Sequence, residues 1–334
     1  MATDLLGTSG SAAGRIGRYF TVVSALPATV FAGYVYVLIK SGAWSGPIDW
    51  AAAVRVDLGG VAVLGVASFV LALTMNPLQF TLIQLFEGYW GASPPAEYLA
   101  LARTAYHRRR RQKLYAQAQE RASGAEPAPT LGPLRQQIRR DERLRAYGAY
   151  PKDARDILPT RLGNVLRRYE TSVGRPYGLD LLATVPRLAM VGGEREIAYV
   201  TNQRVQLELA LRTSFLALVA SLVTLLFMSR HGVWLLLALV PYAIAYLAYR
   251  GAVAVAHEYA MSLAVLVDLG RFRLYQRVGL RHPADIDEER RTNRELMRLF
   301  HFRYNAEQVR YRAETDADRT DPGVPPEEQP DQSG

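Results

Sequence analysis

This chain of 334 residues contains no cysteine. Disulfides, thiolate catalysis and cysteine-based metal sites are therefore excluded. Lysine is scarce: Lys40, Lys113 and Lys152 are the only ones among 40 lysines and arginines, and none follows a glycine. A P-loop needs a lysine after glycine to reach a nucleotide's phosphates, so that site is ruled out. There is no G-x-S-x-G elbow, and no G-x-G-x-x-G follows a strand-like run. The five histidines, His107, His231, His257, His282 and His301, are scattered without ligand spacing. His257-Glu258 lacks the second histidine of a zinc-binding helix. The sequence thus assigns no catalytic residue and no metal ligand, and it predicts no cofactor.

What is present falls into two kinds of material. Mean hydropathy is near zero only because nearly charge-free stretches alternate with arginine-rich ones. Residues 19–39 run about 21 positions without a charge, the length needed to cross some 30 Å of hydrocarbon. Residues 58–75 form a second apolar run. A third, 213–229, is shorter, with Arg212 and Arg230 at its ends to snorkel toward water. The fourth, 233–249, follows a turn of only a few residues, which forces an antiparallel hairpin. The predicted fold is all-α: a polytopic membrane protein with four transmembrane helices in two hairpins, above a helical cytoplasmic domain.

Net charge is +9, and the arginines are unevenly placed. Arg15 and Arg18 precede the first run, Lys40 and Arg55 lie between the first two, and Arg230 alone follows the third. Residues 87–206 hold about twenty basic side chains, so the positive-inside rule puts both termini and this segment in the cytoplasm. Trp44, Trp50 and Trp234 then sit at the outer interface, where indoles concentrate. A cleavable signal peptide is the competing reading of Arg15, Arg18 and Ser41-Gly42-Ala43, but the apolar run exceeds a usual h-region of about 7–15 residues. The expected divisions are an N-terminus at 1–18, a first transmembrane hairpin plus interfacial helix at 19–86, a basic helical segment at 87–206, a second hairpin at 207–254, a helical extension at 255–313 and an acidic, proline-bearing disordered tail at 314–334.

Within the basic segment, Ser93-Pro94-Pro95 marks a helix start, followed by good helix formers over 97–122. Residues 124–133 break the chain, and a second helix is expected over 134–147, pairing with the first. Gly192-Gly193 should open a helix running unbroken into the third span, and nothing stops the fourth before Gly279.

Three groups carry candidate chemistry. His107, Arg108, Arg109, Arg110, Arg111 and Lys113 form the densest basic run, suited to anionic lipid headgroups or simply to a solvated helix face. Nucleic acid is disfavoured there, because Tyr106 and Tyr115 are too few to make a stacking platform. Asn76-Pro77 either kinks the second span as a gate or ends it before an interfacial helix over 78–90. Arg250, His257 and Glu258 form either a polar site at the bundle mouth or the point where a helix leaves lipid.

Several segments are also familiar. Residues 77–90 (PLQFTLIQLFEGYW), 158–167 (LPTRLGNVLR), Tyr177-Gly178-Leu179-Asp180 with Pro186-Arg187-Leu188, and Asp268-Leu269 with Arg271 and Leu274-Tyr275 resemble a group of uncharacterised integral membrane proteins of actinobacteria. The likeness spans most of the chain after the first run. It implies a bacterial plasma membrane location and brings no activity. Within LPTRLGNVLR, Thr160 reads as a helix cap, Gly163 as a close-packing position, and Arg161, Asn164 and Arg167 as partner contacts or as caps on the base of the bundle. The leading expectation is a membrane-anchored scaffold presenting basic helices to a cytoplasmic protein. The alternative is a homo-oligomeric channel or pore-forming effector gated by its cytoplasmic helices. An enzyme acting on lipid or nucleotide has only His257-Glu258 and the arginines in its favour.

Overall fold

The computed structural model describes residues 25–55, 57–119 and 131–301. Those residues form helices joined by turns and loops, with no strand among them. Helix α1 spans Leu26–Lys40, with Pro27 in its first turn, where a missing amide hydrogen costs nothing. A short α2, Trp50–Val54, starts on Asp49, whose carboxylate accepts from the Ala52 amide at 3.0 Å. Helix α3, Leu58–Met75, matches the second apolar run residue for residue. It returns alongside α1: Tyr36 and Lys40 face Asp57 at one end, and at the other Phe31 and Leu71 pack against the same cluster of Met75, Leu82 and Leu216.

After the Asn76–Leu78 turn comes α4, Gln79–Glu87, closed by Gly88 in the left-handed region at φ 107°. Helices α5, Pro94–Gln119, and α6, Leu131–Gly148, pack chiefly on each other. Helix α6 begins three residues before the expected start, because Pro133 fits in a first turn that needs no amide donor there. Helix α7, Arg161–Ser172, and α8, Leu181–Val191, follow.

Two long helices form the spine. Helix α9, Glu194–Met228, begins directly after Gly193 and covers about 52 Å in 35 residues. A 3-10 turn, Gly232–Ala238, leads into α10, Leu239–Val278, about 60 Å long over 40 residues and stopped by Gly279 at φ 74°. The two run antiparallel: Ser214 donates to the Ala245 carbonyl and Ser221 to the Ala238 carbonyl, each at 2.9 Å. Helix α11, Ile286–Phe300, then folds back onto the lower end of α10, a reversal within the helical extension expected over 255–313.

Three stretches are long and apolar enough to cross a membrane: Leu58–Met75, Glu194–Met228 and Gly232–Val278. Helix α1 is apolar but only 15 residues long as described; residues 19–24, with which the predicted first span begins, lie outside the described residues. So do the N-terminus 1–18, the linker at 120–130 and the tail at 314–334.

Both hairpins turn at the same end. Trp50 meets Trp234 at 5.1 Å, Trp44 meets Phe227 at 5.4 Å, and His231 bonds the Ala43 carbonyl at 2.8 Å. At the opposite end two buried clusters hold the base. One joins α7 to the spine through Leu162, Val165, Leu207, Leu211, Ala252 and Ala256. The other joins α8 and α11 to α10 through Leu188, Leu266, Val267, Leu274 and Leu296.

Candidate functional site

The base of the bundle is organised around the segment Pro159–Asn164. The Thr160 hydroxyl accepts from the Gly163 amide and donates to the Glu87 carbonyl, each at 2.9 Å. One side chain thus caps α7 and ties it to the end of α4. Asn164 is 1 % exposed: its Oδ1 accepts from the Leu158 amide, and its Nδ2 donates to the carbonyls of Leu158 and Thr160. The asparagine therefore holds the turn that leads into its own helix. Gly163 lets this happen, because a Cβ there would overlap the Glu87 carbonyl. Gly88 is needed on the other side, where a Cβ would run into the Pro159 ring.

The basic run on α5 divides by helical phase. His107 is fully buried and shares a hydrogen bond with the Tyr150 hydroxyl at 2.9 Å. Arg108, Arg109 and Lys113 are exposed. Arg110 and Arg111 are half-buried on the inner side, and Arg111 donates to the Lys152 carbonyl at 2.6 Å. Burial, with the charges of Arg103, Arg110 and Arg161, holds the His107 imidazole down at about 4, while the Pro159 carbonyl pulls weakly the other way.

Between α5, α6, α7 and α10 lies a cavity of about 200 Å³. Arg110 comes from α5, Arg145 from α6, Arg161 from α7 and His257 from α10, with Tyr150 and Asn164 on the wall and Val165 and Val253 at the floor. Arg161 and Asn164 belong to the expected contact set, and His257 to the expected membrane-mouth set; the fold brings them together. Arg145, Tyr150 and Arg168, which lies close enough to His257 to disfavour its charged form, were not anticipated.

The remaining predicted residues fall elsewhere. Arg167 is half-buried and paired with Glu170 at 3.2 Å and Asp156 at 3.8 Å. Arg250 and Glu258 are exposed, and only His257 of that trio turns inward, against the Tyr169 ring at 6.2 Å. Eight positions place Arg250 and Glu258 on one face, but that face is the outer one. Asn76 and Pro77 lie in the turn between α3 and α4, where Asn76 Oδ1 and Gln79 Oε1 accept from the Arg212 guanidinium at 3.5 and 2.6 Å. Arg212 was expected to snorkel from the end of a span; instead it is 2 % exposed, turned into the bundle toward these amides. With Arg204 and Glu208, which pair at 2.7 Å, it forms a ladder at four-residue spacing on α9. That spacing was visible in the sequence as a signal of one polar face.

No family model, curated protein or solved structure matches the chain.

Proposed function

We propose that this is a multi-pass protein of the bacterial plasma membrane, crossing it four times, that works as a scaffold presenting basic cytoplasmic helices to a protein partner. Three apolar helices and the shorter α1, arranged as two hairpins turning at a common tryptophan-rich end, support the four-span reading. The arginines gather at the other end, which supports a cytoplasmic base with both termini inside. The resemblance to actinobacterial membrane proteins supports the compartment.

The observation that carries the scaffold reading is the outer face of the α5–α6 pair. Arg108 and Arg109 on α5 and Arg139 and Arg140 on α6 are exposed, and none has an ion pair among the described residues. Such a face attracts an acidic partner and speeds its encounter. The full chain purified from its native membrane in mild detergent should carry a stoichiometric protein. Reversing the four arginines to glutamate should release it while helicity stays intact. Retention of the same species by the reversed variant would remove this reading.

Sidedness has a clean test, because the chain has no cysteine to mask. Gly46→Cys should react with an impermeant maleimide on intact cells, and Lys152→Cys only after lysis. The channel reading is favoured by one feature, the outward row of Tyr242, Tyr246 and Arg250 on α10, which several copies could bring together. Ion flux through vesicles holding the pure protein would support it.

A further inference from the structure

We propose that the cavity between α5, α6, α7 and α10 binds the phosphate of an anionic ligand, supplied by a phospholipid headgroup of the inner leaflet. Arginine side chains from three different helices line it, joined by His257 from a fourth. Among the described residues no carboxylate lines it, and Arg110, Arg145 and Arg161 have no ion pair. The nearest carboxylate to act on His257 is Glu258, which points outward; Arg168 opposes it. Clustering like charges around a cavity costs free energy that an anion returns, and planar guanidiniums match a phosphate's paired oxygens. The cavity has room for several waters, hence for a phosphate and a small polar substituent.

Depth selects the source. The fourth apolar run ends at Tyr249, so Val253 lies about 6 Å below it along α10 and His257 about 12 Å below. That interval coincides with the headgroup layer flanking the hydrocarbon. The lipid source rests on the membrane reading above but not on the scaffold reading, whose arginines lie on the opposite face of α5 and α6.

The test uses the full chain in a maltoside micelle, stripped of lipid and held at constant ionic strength. Thermal unfolding is followed while adding phosphatidylglycerol, a diacylglycerol lacking phosphate, glycerol 3-phosphate or inorganic phosphate. Phosphatidylglycerol should raise Tm saturably and the diacylglycerol should not. Arg145→Gln with Arg161→Gln should weaken that apparent affinity at least about tenfold, as expected for losing charge-assisted bonds. Arg291→Gln with Arg294→Gln removes equal charge from exposed positions on α11, outside the cavity lining, and should leave it within about twofold. Arg145 and Arg161 are exposed residues, so the substitutions open no buried hole. Equal losses in the two variants would mean diffuse surface attraction and overturn the proposal. Identical behaviour of phosphatidylglycerol and diacylglycerol in the unmutated protein would overturn it without reference to any variant. A saturable rise with glycerol 3-phosphate or inorganic phosphate as large as that with the lipid would overturn the lipid source and assign the cavity to a soluble phosphate.

Discussion

The Arg212 guanidinium donates to Gln79 Oε1 at 2.6 Å, joining α9 to α4 across 133 positions of sequence. The bond lies just past the break at Asn76-Pro77, and the same guanidinium reaches Asn76. A buried arginine is held by such partners or not at all, so the turn and the charge depend on each other. Arg212→Ala should lower stability by about 3 kcal/mol, and a double-mutant cycle with Gln79→Ala should show coupling of about 1.5–3 kcal/mol. Additive effects in detergent unfolding would mean that the bond does not fasten the two helices.

Close packing of α4 on α7 gives a second prediction. Gly163→Ala sets a methyl against the Glu87 carbonyl, a backbone atom that cannot swing aside. The expected cost is about 2–3 kcal/mol, with loss of the Thr160 bond to the same carbonyl. Glycine at 91, which unlike Gly163 sits at positive φ but has open space around its Cβ position, serves as the control. Gly91→Ala should cost only the backbone strain of about 1–2 kcal/mol.

Two groups at the base should titrate with opposite consequences. Burial, and then the neighbouring Glu170 carboxylate, pushes Glu87 up to about 7. Its charge is more costly in the folded protein than in the unfolded chain. Its contribution to stability is therefore full below pH 4.5 and is lost as pH rises through 7. Glu87→Gln should raise Tm at pH 8 by about 2–4 °C and leave it unchanged at pH 4.5. For His107 the sign reverses. With its pKa held at about 4, its contribution is present above pH 6.5 and is lost as pH falls through 4. Hydrogen exchange in α5, corrected for its intrinsic rate, should quicken over that interval and should not do so in His107→Gln.

The return of α11 hangs on a compact polar network. Tyr275 Oη donates to Glu289 Oε1 at 2.9 Å and accepts from Asn293 Nδ2 at 2.7 Å, while Arg271 Nε donates to the same carboxylate oxygen at 2.9 Å. Glu289 is 4 % exposed and Asn293 fully buried. Tyr275→Phe should cost about 2 kcal/mol and quicken exchange in α11 while leaving the upper spine unchanged. Uniform destabilisation of the whole chain would show instead that α11 is not a separable unit.

How much of this was legible in the sequence follows from the range of the forces involved. The apolar run at Leu58–Met75, the helix start after Gly193 and the stop at Gly279 are legible directly, because helix length, caps and burial in an apolar solvent are set by residues within a few turns. Thr160 was read as a cap for the same reason. Arg212, by contrast, reads in the sequence as a side chain free to snorkel from the end of a span, whereas its turn into the bundle depends on Asn76 and Gln79 more than 130 positions away. Arg250 and Glu258 share a face, as their spacing implied, but only the rotation of α10 against α7 decides that the face turns outward and that His257 turns inward.

The sequence by itself therefore determined a helical chain with apolar stretches fit for a membrane, and the ends of several of its helices. The tertiary structure alone decided which arginines of a uniformly basic segment face out and which converge. Charge composition is additive along the chain, whereas convergence requires the phase of each helix to be locked against its neighbours, and that lock comes from Leu162, Val165, Leu211 and Ala252 packing together across the base.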